Sequence, residues 1–119
     1  MRDEIMWWMS RLTIMLTSLF LSFSLAAQAY AAEIQMGYEG NLVFEPNEVT
    51  VNAGETVTFV NNALPPHNII FDKFASLSRE SLMFTPGETQ EIKFATAGDY
   101  DFKCAPHEGA GMKGVIHVN

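Results

Sequence analysis

The segment Cys104–Met112, CAPHEGAGM, carries a thiol, an imidazole and a thioether in nine residues. Taken singly, a buried cysteine is a small hydrophobe, a strand methionine is core, and a turn histidine faces solvent. Together, Cys104, His107 and Met112 surround one tight Pro/Gly loop with soft and borderline metal donors. A second imidazole is needed, and the chain has three histidines. His67 opens an apolar run directly after Pro65 and Pro66, whereas His117 stands between Ile116 and Val118 on a continuous run past Met112 and is expected to point away. Two imidazoles, one thiolate and a weak axial thioether are the donor set of a blue-copper electron-transfer centre. Structural zinc takes four Cys or His donors, and catalytic zinc keeps an open position for water. Sulfur suits Cu(I) and imidazole suits Cu(II), so a rigid compromise lets the ion change oxidation state with little ligand movement. Gly109, Gly111 and Gly114 are expected to let the backbone turn tightly between ligands, and Pro106 to stiffen the path from Cys104 to His107.

Strands must bring these donors together. From Ala32 onward, short apolar or β-branched runs (EIQM, LVF, EVTV, TVTFV, HNIIF, LMF, QEIKF, YDFKC, GVIHV) alternate with Gly, Pro or Asn. That pattern predicts an all-β sandwich of about eight strands. No 3.6-residue repeat is sustained, although residues 75–82, ASLSRESL, allow one short helical turn. Period-two alternation puts Tyr100, Phe102 and Cys104 on the core side of one strand, opposite Asp101 and Lys103. His67, Ile69 and Phe71 share a face in the same way, so the two strand ends can meet at one end of the sandwich. Asn68 is either a surface amide or a group that ties these two segments by hydrogen bonds.

The 119 residues, 48% hydrophobic, suit one domain plus an extra piece. Residues 12–26 carry no charge, follow Arg2 and Arg11, and lead into small residues at Ala27, Ala29 and Ala31. A retained membrane anchor is the alternative, but the run is short for a span. We therefore expect residues 1–31 to be a signal peptide cleaved after Ala31, leaving a domain of residues 32–119. The leader takes two bases and two acids with it (Arg2, Arg11, Asp3, Glu4), so the formal charge of −7 is unchanged. Nucleic acid is thereby an unsuitable partner, and the acidity fits either solubility or steering toward a basic protein. Cys104 is the only cysteine, so no internal disulfide forms, and its neighbours favour a metal ligand.

LPPHNIIFD together with CAPHEGAGMKGVIHVN resembles the plastocyanins, small blue copper proteins of the cupredoxin class. NLVFEPNEVTVNAGETVTFVNN fits their N-terminal half, so the resemblance, of the cyanobacterial type, spans nearly all of residues 32–119. It implies a Greek-key β-sandwich holding one copper ion, and a soluble monomeric carrier rather than an enzyme. Such a carrier moves one electron from cytochrome f of the b6f complex to photosystem I in the thylakoid lumen. The match makes His67, Cys104, His107 and Met112 the ligands. It puts His107 nearest solvent, with Leu42, Leu64, Pro66, Pro106 and Ala110 forming an apolar docking surface around it. The chain departs from the family at Lys103, where a surface tyrosine is usual, and at Glu108, where many cyanobacterial members have arginine. The segment from Asp72 to Phe84 is short and lacks acidic runs.

Pseudoazurin shares the ligand spacing but continues into C-terminal helices, whereas this sequence ends at Asn119. A copper-trafficking protein would carry exposed methionine clusters, and only Met36, Met83 and Met112 fall within residues 32–119. An oxidase or reductase needs further metal centres with open coordination.

Overall fold

Alternating apolar and polar residues form nine strands among the described residues, 32–119, of the computed structural model. The expected signal segment, residues 1–31, lies outside the described residues. The strands are β1 (Glu33–Met36), β2 (Phe44–Glu45), β3 (Glu48–Val51), β4 (Thr56–Asn61), β5 (His67–Ile69), β6 (Arg79–Met83), β7 (Thr89–Lys93), β8 (Gly98–Lys103) and β9 (Lys113–Val118). One sheet runs β2-β1-β4-β7, a second β3-β9-β8, and β5 pairs with β6. β1–β4 and β3–β9 are parallel, while β4–β7 and β8–β9 are antiparallel.

Some boundaries differ from the sequence pattern. Leu42 and Val43 fall outside any strand, and only Phe44 and Glu45 pair with β1 before Pro46, which has no N–H to continue a ladder. Residues 75–77 form the single short turn expected of the 75–82 segment, but the following residues extend into β6.

The inward residues of all three sheets make one core. Phe102 of β8 meets Phe44 and Phe59 of the other sheet edge to face, with ring centroids 4.7 and 5.4 Å apart. Full burial of such side chains stabilises by roughly 1.5–3 kcal/mol each, and the edge-to-face geometry fixes how the sheets stack. Gly114 serves this packing. It lies within β9, beyond Met112, and a Cβ there would collide with the Phe102 ring and the Asn47 carbonyl. Its absent side chain therefore makes room for an aromatic ring, and the expectation that it turns the ligand loop is corrected. Gly111 does turn the chain, with φ +86° in the left-handed region, whereas nothing in the structure requires glycine at 109.

The two donor-bearing strands are joined directly. Ile70, just after β5, and Lys103, ending β8, exchange both main-chain hydrogen bonds at 2.9 and 3.0 Å. That pair brings the strand of His67 beside the approach to Cys104.

His117 lies on the outer face of the β3-β9-β8 sheet, away from this end of the core. Its Nδ1 is 2.6 Å from Asp99 Oδ1 on β8 and its Nε2 is 2.7 Å from Glu48 Oε1 on β3. Hydrogen bonds to Asp99 and then Glu48 raise its pKa above the ordinary 6.5. Stability from this cross-strand arrangement is full below 6.5 and is lost as pH rises through the folded-state pKa. By NMR titration, His117 should titrate above 6.5 and move back toward it in Asp99→Asn/Glu48→Gln; a midpoint at or below 6.5 in the unmodified protein contradicts this.

Candidate metal centre

Four local features deliver the candidate donors. His67 is the first residue of β5, paired with Met83 of β6, and its imidazole is fully buried. Cys104 follows the last residue of β8 and continues its inward row beneath Phe102. The nine-residue connection then closes on itself: Cys104 N–H donates to the Met112 carbonyl, Met112 N–H to the His107 carbonyl, and His107 N–H to the Cys104 carbonyl, at 3.0, 3.2 and 3.1 Å. Pro106 stands in the first turn of the 3-10 segment Ala105–Ala110, where its missing N–H costs nothing.

Across this connection, Asn68 accepts a hydrogen bond from Ala105 N–H through Oδ1 at 2.8 Å and donates through Nδ2 to the Glu80 carbonyl at 3.2 Å. At 6% exposure it is an interior amide. One side chain thus links β5, β6 and the connection.

The structure brings His67, Cys104 and His107 together, with one donor atom from each within 4.8 Å of the others. His67 Nδ1 is 3.2 Å from His107 Nδ1 and 3.7 Å from Cys104 Sγ, and Cys104 Sγ is 3.3 Å from His107 Nδ1. Met112 is fully buried at the base of the connection. His107 is half-buried and is the most solvent-accessible of the four. Of the residues expected to surround it, Leu64, Pro106 and Ala110 are exposed, while Leu42 and Pro66 are half-buried.

The donors fit a metal ion in both chemistry and spacing. His67 Nε2–H donates to the Ala63 carbonyl at 3.1 Å, which leaves the lone pair of the neutral ring on Nδ1, facing Cys104 and His107. With bonds of about 2.0–2.1 Å from nitrogen and about 2.3 Å from sulfur to a first-row ion, donors sharing it stand no more than about 4.4 Å apart. All three separations fall inside that bound. Soft and borderline donors converging this closely, two of them fully buried, are costly to one another unless a cation lies between them. Burial, with a further contribution from His107, holds His67 below the ordinary imidazole range, against the Ala63 bond, which raises it. Burial pushes the Cys104 thiol up, while main-chain hydrogen bonds from Asn68 and His107 pull it down. A bound cation tips that balance toward thiolate.

Two participants escaped the sequence analysis, Ala63 and Gly37. Gly37 has φ +77°, and a Cβ on it would stand 2.7 Å from His67 Nε2 and 3.0 Å from the Ala63 carbonyl oxygen. Glycine there leaves room for the hydrogen bond that selects the tautomer. Its only sequence mark is a lone glycine ending an apolar run. Gly37→Ala should displace the His67 ring, seen by NMR of the metal-free protein as loss of the Nε2–H tautomer and weaker metal binding, typically 10–100-fold for lost support of this kind. An unchanged tautomer and affinity would show that the ring does not depend on this gap.

Residues 31–119 match the family model of copper binding proteins, plastocyanin/azurin family. The chain is 48% identical over 105 residues to the chloroplastic plastocyanin of Tetradesmus obliquus, covering 81% of this chain and 72% of that one. It is 54% identical over 87 residues to the plastocyanin of Scenedesmus fuscus, covering 66% and 89%. Among solved structures, oxidised plastocyanin from Dryopteris crassirhizoma superposes with TM-score 0.67 at 33% identity, over 74% of this chain and all of that one. Amicyanin from Paracoccus versutus superposes with TM-score 0.63 at 31% identity, over 79% and 86%. With its β-sandwich and its converging His-Cys-His cluster, the chain belongs to the copper-binding plastocyanin/azurin family.

Proposed function

We propose that this protein is a soluble one-electron carrier in photosynthetic electron transport, with His67, Cys104, His107 and Met112 holding a single copper ion. The convergence of the His67, Cys104 and His107 donors at 3.2–3.7 Å, with His67 and Cys104 fully buried, carries this reading. Copper, when bound, supplies a one-electron couple. The chain's own part is to hold the donors still. Ala63 fixes the His67 tautomer, Asn68 and the Ile70–Lys103 pair join the two segments, and the self-bonded connection fixes Cys104, His107 and Met112 relative to one another. Ligands that keep their places as charge changes leave little reorganisation to slow transfer.

His107 is the route by which the centre reaches solvent, and Leu42, Leu64, Pro66, Pro106 and Ala110 form the apolar surface against which partners dock. The partners are cytochrome f of the b6f complex as donor and photosystem I as acceptor, in the thylakoid lumen, which the expected signal segment would serve. The chloroplastic plastocyanins among the relatives support that placement. The protein acts as a carrier rather than an enzyme.

Adding Cu(II) to the purified protein should produce an intense blue absorption that ascorbate bleaches reversibly. Cys104→Ser should abolish the colour, and Met112→Ala should keep copper with a shifted potential. A colourless, tight Cu(I) complex would instead favour trafficking, and full blue absorption in Cys104→Ser would overturn the ligand assignment.

A further inference from the structure

Lys103 ends β8 beside Cys104, but its side chain leaves the opposite face of the strand. Its ammonium lies 3.0 Å from Asp72 Oδ2 and 3.1 Å from Glu108 Oε2. Asp72 belongs to the segment that follows β5, the strand of His67, and Glu108 is the residue after His107. A single side chain therefore grips both segments from outside, while Asn68 links them from inside through Ala105. The lysine is the sheltered member, with 22% of its side chain exposed against 67% for Asp72 and 55% for Glu108. Ion pairs this exposed add little to overall stability. What distinguishes them is where they attach.

We propose that Lys103 is a positioning residue for the metal centre: it clasps the His107-bearing connection to the segment after β5, and its charge, set against two carboxylates, tunes the potential of the centre. The tuning half rests on the copper-carrier reading above. The clasp half concerns this chain's own segments and holds in the metal-free protein. A centre that gains an electron becomes less positive, so a nearby cation favours the reduced form and a nearby carboxylate the oxidised form. Charge and clasp therefore make different predictions. Lys103→Gln removes a positive charge and Glu108→Gln a negative one, yet both break the Lys103–Glu108 contact.

The test compares unmodified protein, Lys103→Gln, Glu108→Gln and Lys103→Arg. Reduction potentials are measured on the copper-loaded proteins, and amide hydrogen exchange of residues 105–111 on the metal-free ones. The proposal expects a lower potential for Lys103→Gln, a higher one for Glu108→Gln, and near-parent behaviour for Lys103→Arg. It also expects exchange in the connection to be accelerated several-fold in both glutamine variants. Potentials that move in the same direction in the two glutamine variants overturn the tuning, and unchanged exchange in both overturns the clasp. If the unmodified protein shows no reversible copper couple, the carrier reading and the tuning fail together, and the exchange measurement still decides the clasp.

Discussion

The hydrogen bond from His67 Nε2–H to the Ala63 carbonyl is the constraint on which the centre depends. It decides which ring nitrogen of a buried imidazole carries the lone pair, and so whether His67 faces Cys104 and His107 with a donor atom or with a proton. Around it the fold makes space and removes water. Gly37 leaves room for the bond, burial disfavours protonation of the ring, and the Ile70–Lys103 main-chain pair draws the strand of His67 against the end of the strand leading to Cys104. Without that bond the same sandwich would enclose three polar groups with no fixed roles.

The support for the donors is layered across the wall of the sandwich. Inside, Asn68 links β5 to Ala105 and to the Glu80 carbonyl; outside, Lys103 reaches Asp72 and Glu108; beneath, the Phe44–Phe59–Phe102 contacts fix the spacing of the sheets. The inner and outer links are modest by themselves, since a net hydrogen bond is worth about 1 kcal/mol and an exposed ion pair less. Their effect comes from acting on the same two segments. Position is then set by geometry that a single exposed contact would not enforce.

Much of this was legible in the sequence because it depends on local periodicity. Period-two alternation placed Cys104 and His67 on inward rows and put Lys103 on the opposite face from Cys104. His117, between Ile116 and Val118 on a continuous run, points away from the loop as expected, where Asp99 and Glu48 meet it. Turn residues marked the strand gaps, although β2 shrank to two residues beside Pro46. What was not legible depends on close approach between segments far apart in the chain. Gly37 against His67, Gly114 under Phe102, and Lys103 against Asp72 and Glu108 are glycines or charges whose partners leave no local pattern. A glycine signals freedom in sequence, and only packing shows whether the freedom serves a turn or a neighbouring ring.

The bonds that position the donors, from Ala63, Asn68 and the main chain of the connection, all come from the chain itself, so the donors should keep their places with or without an ion. Crystal structures of the metal-free and copper-loaded protein test this directly, by comparing the His67 Nδ1 to Cys104 Sγ separation, 3.7 Å here. A preorganised centre keeps both donors within about 0.5 Å of the same positions in the two forms. If the metal-free protein instead shows the His67 ring released from the Ala63 carbonyl and turned away from Cys104, the ion assembles the site and the account is wrong.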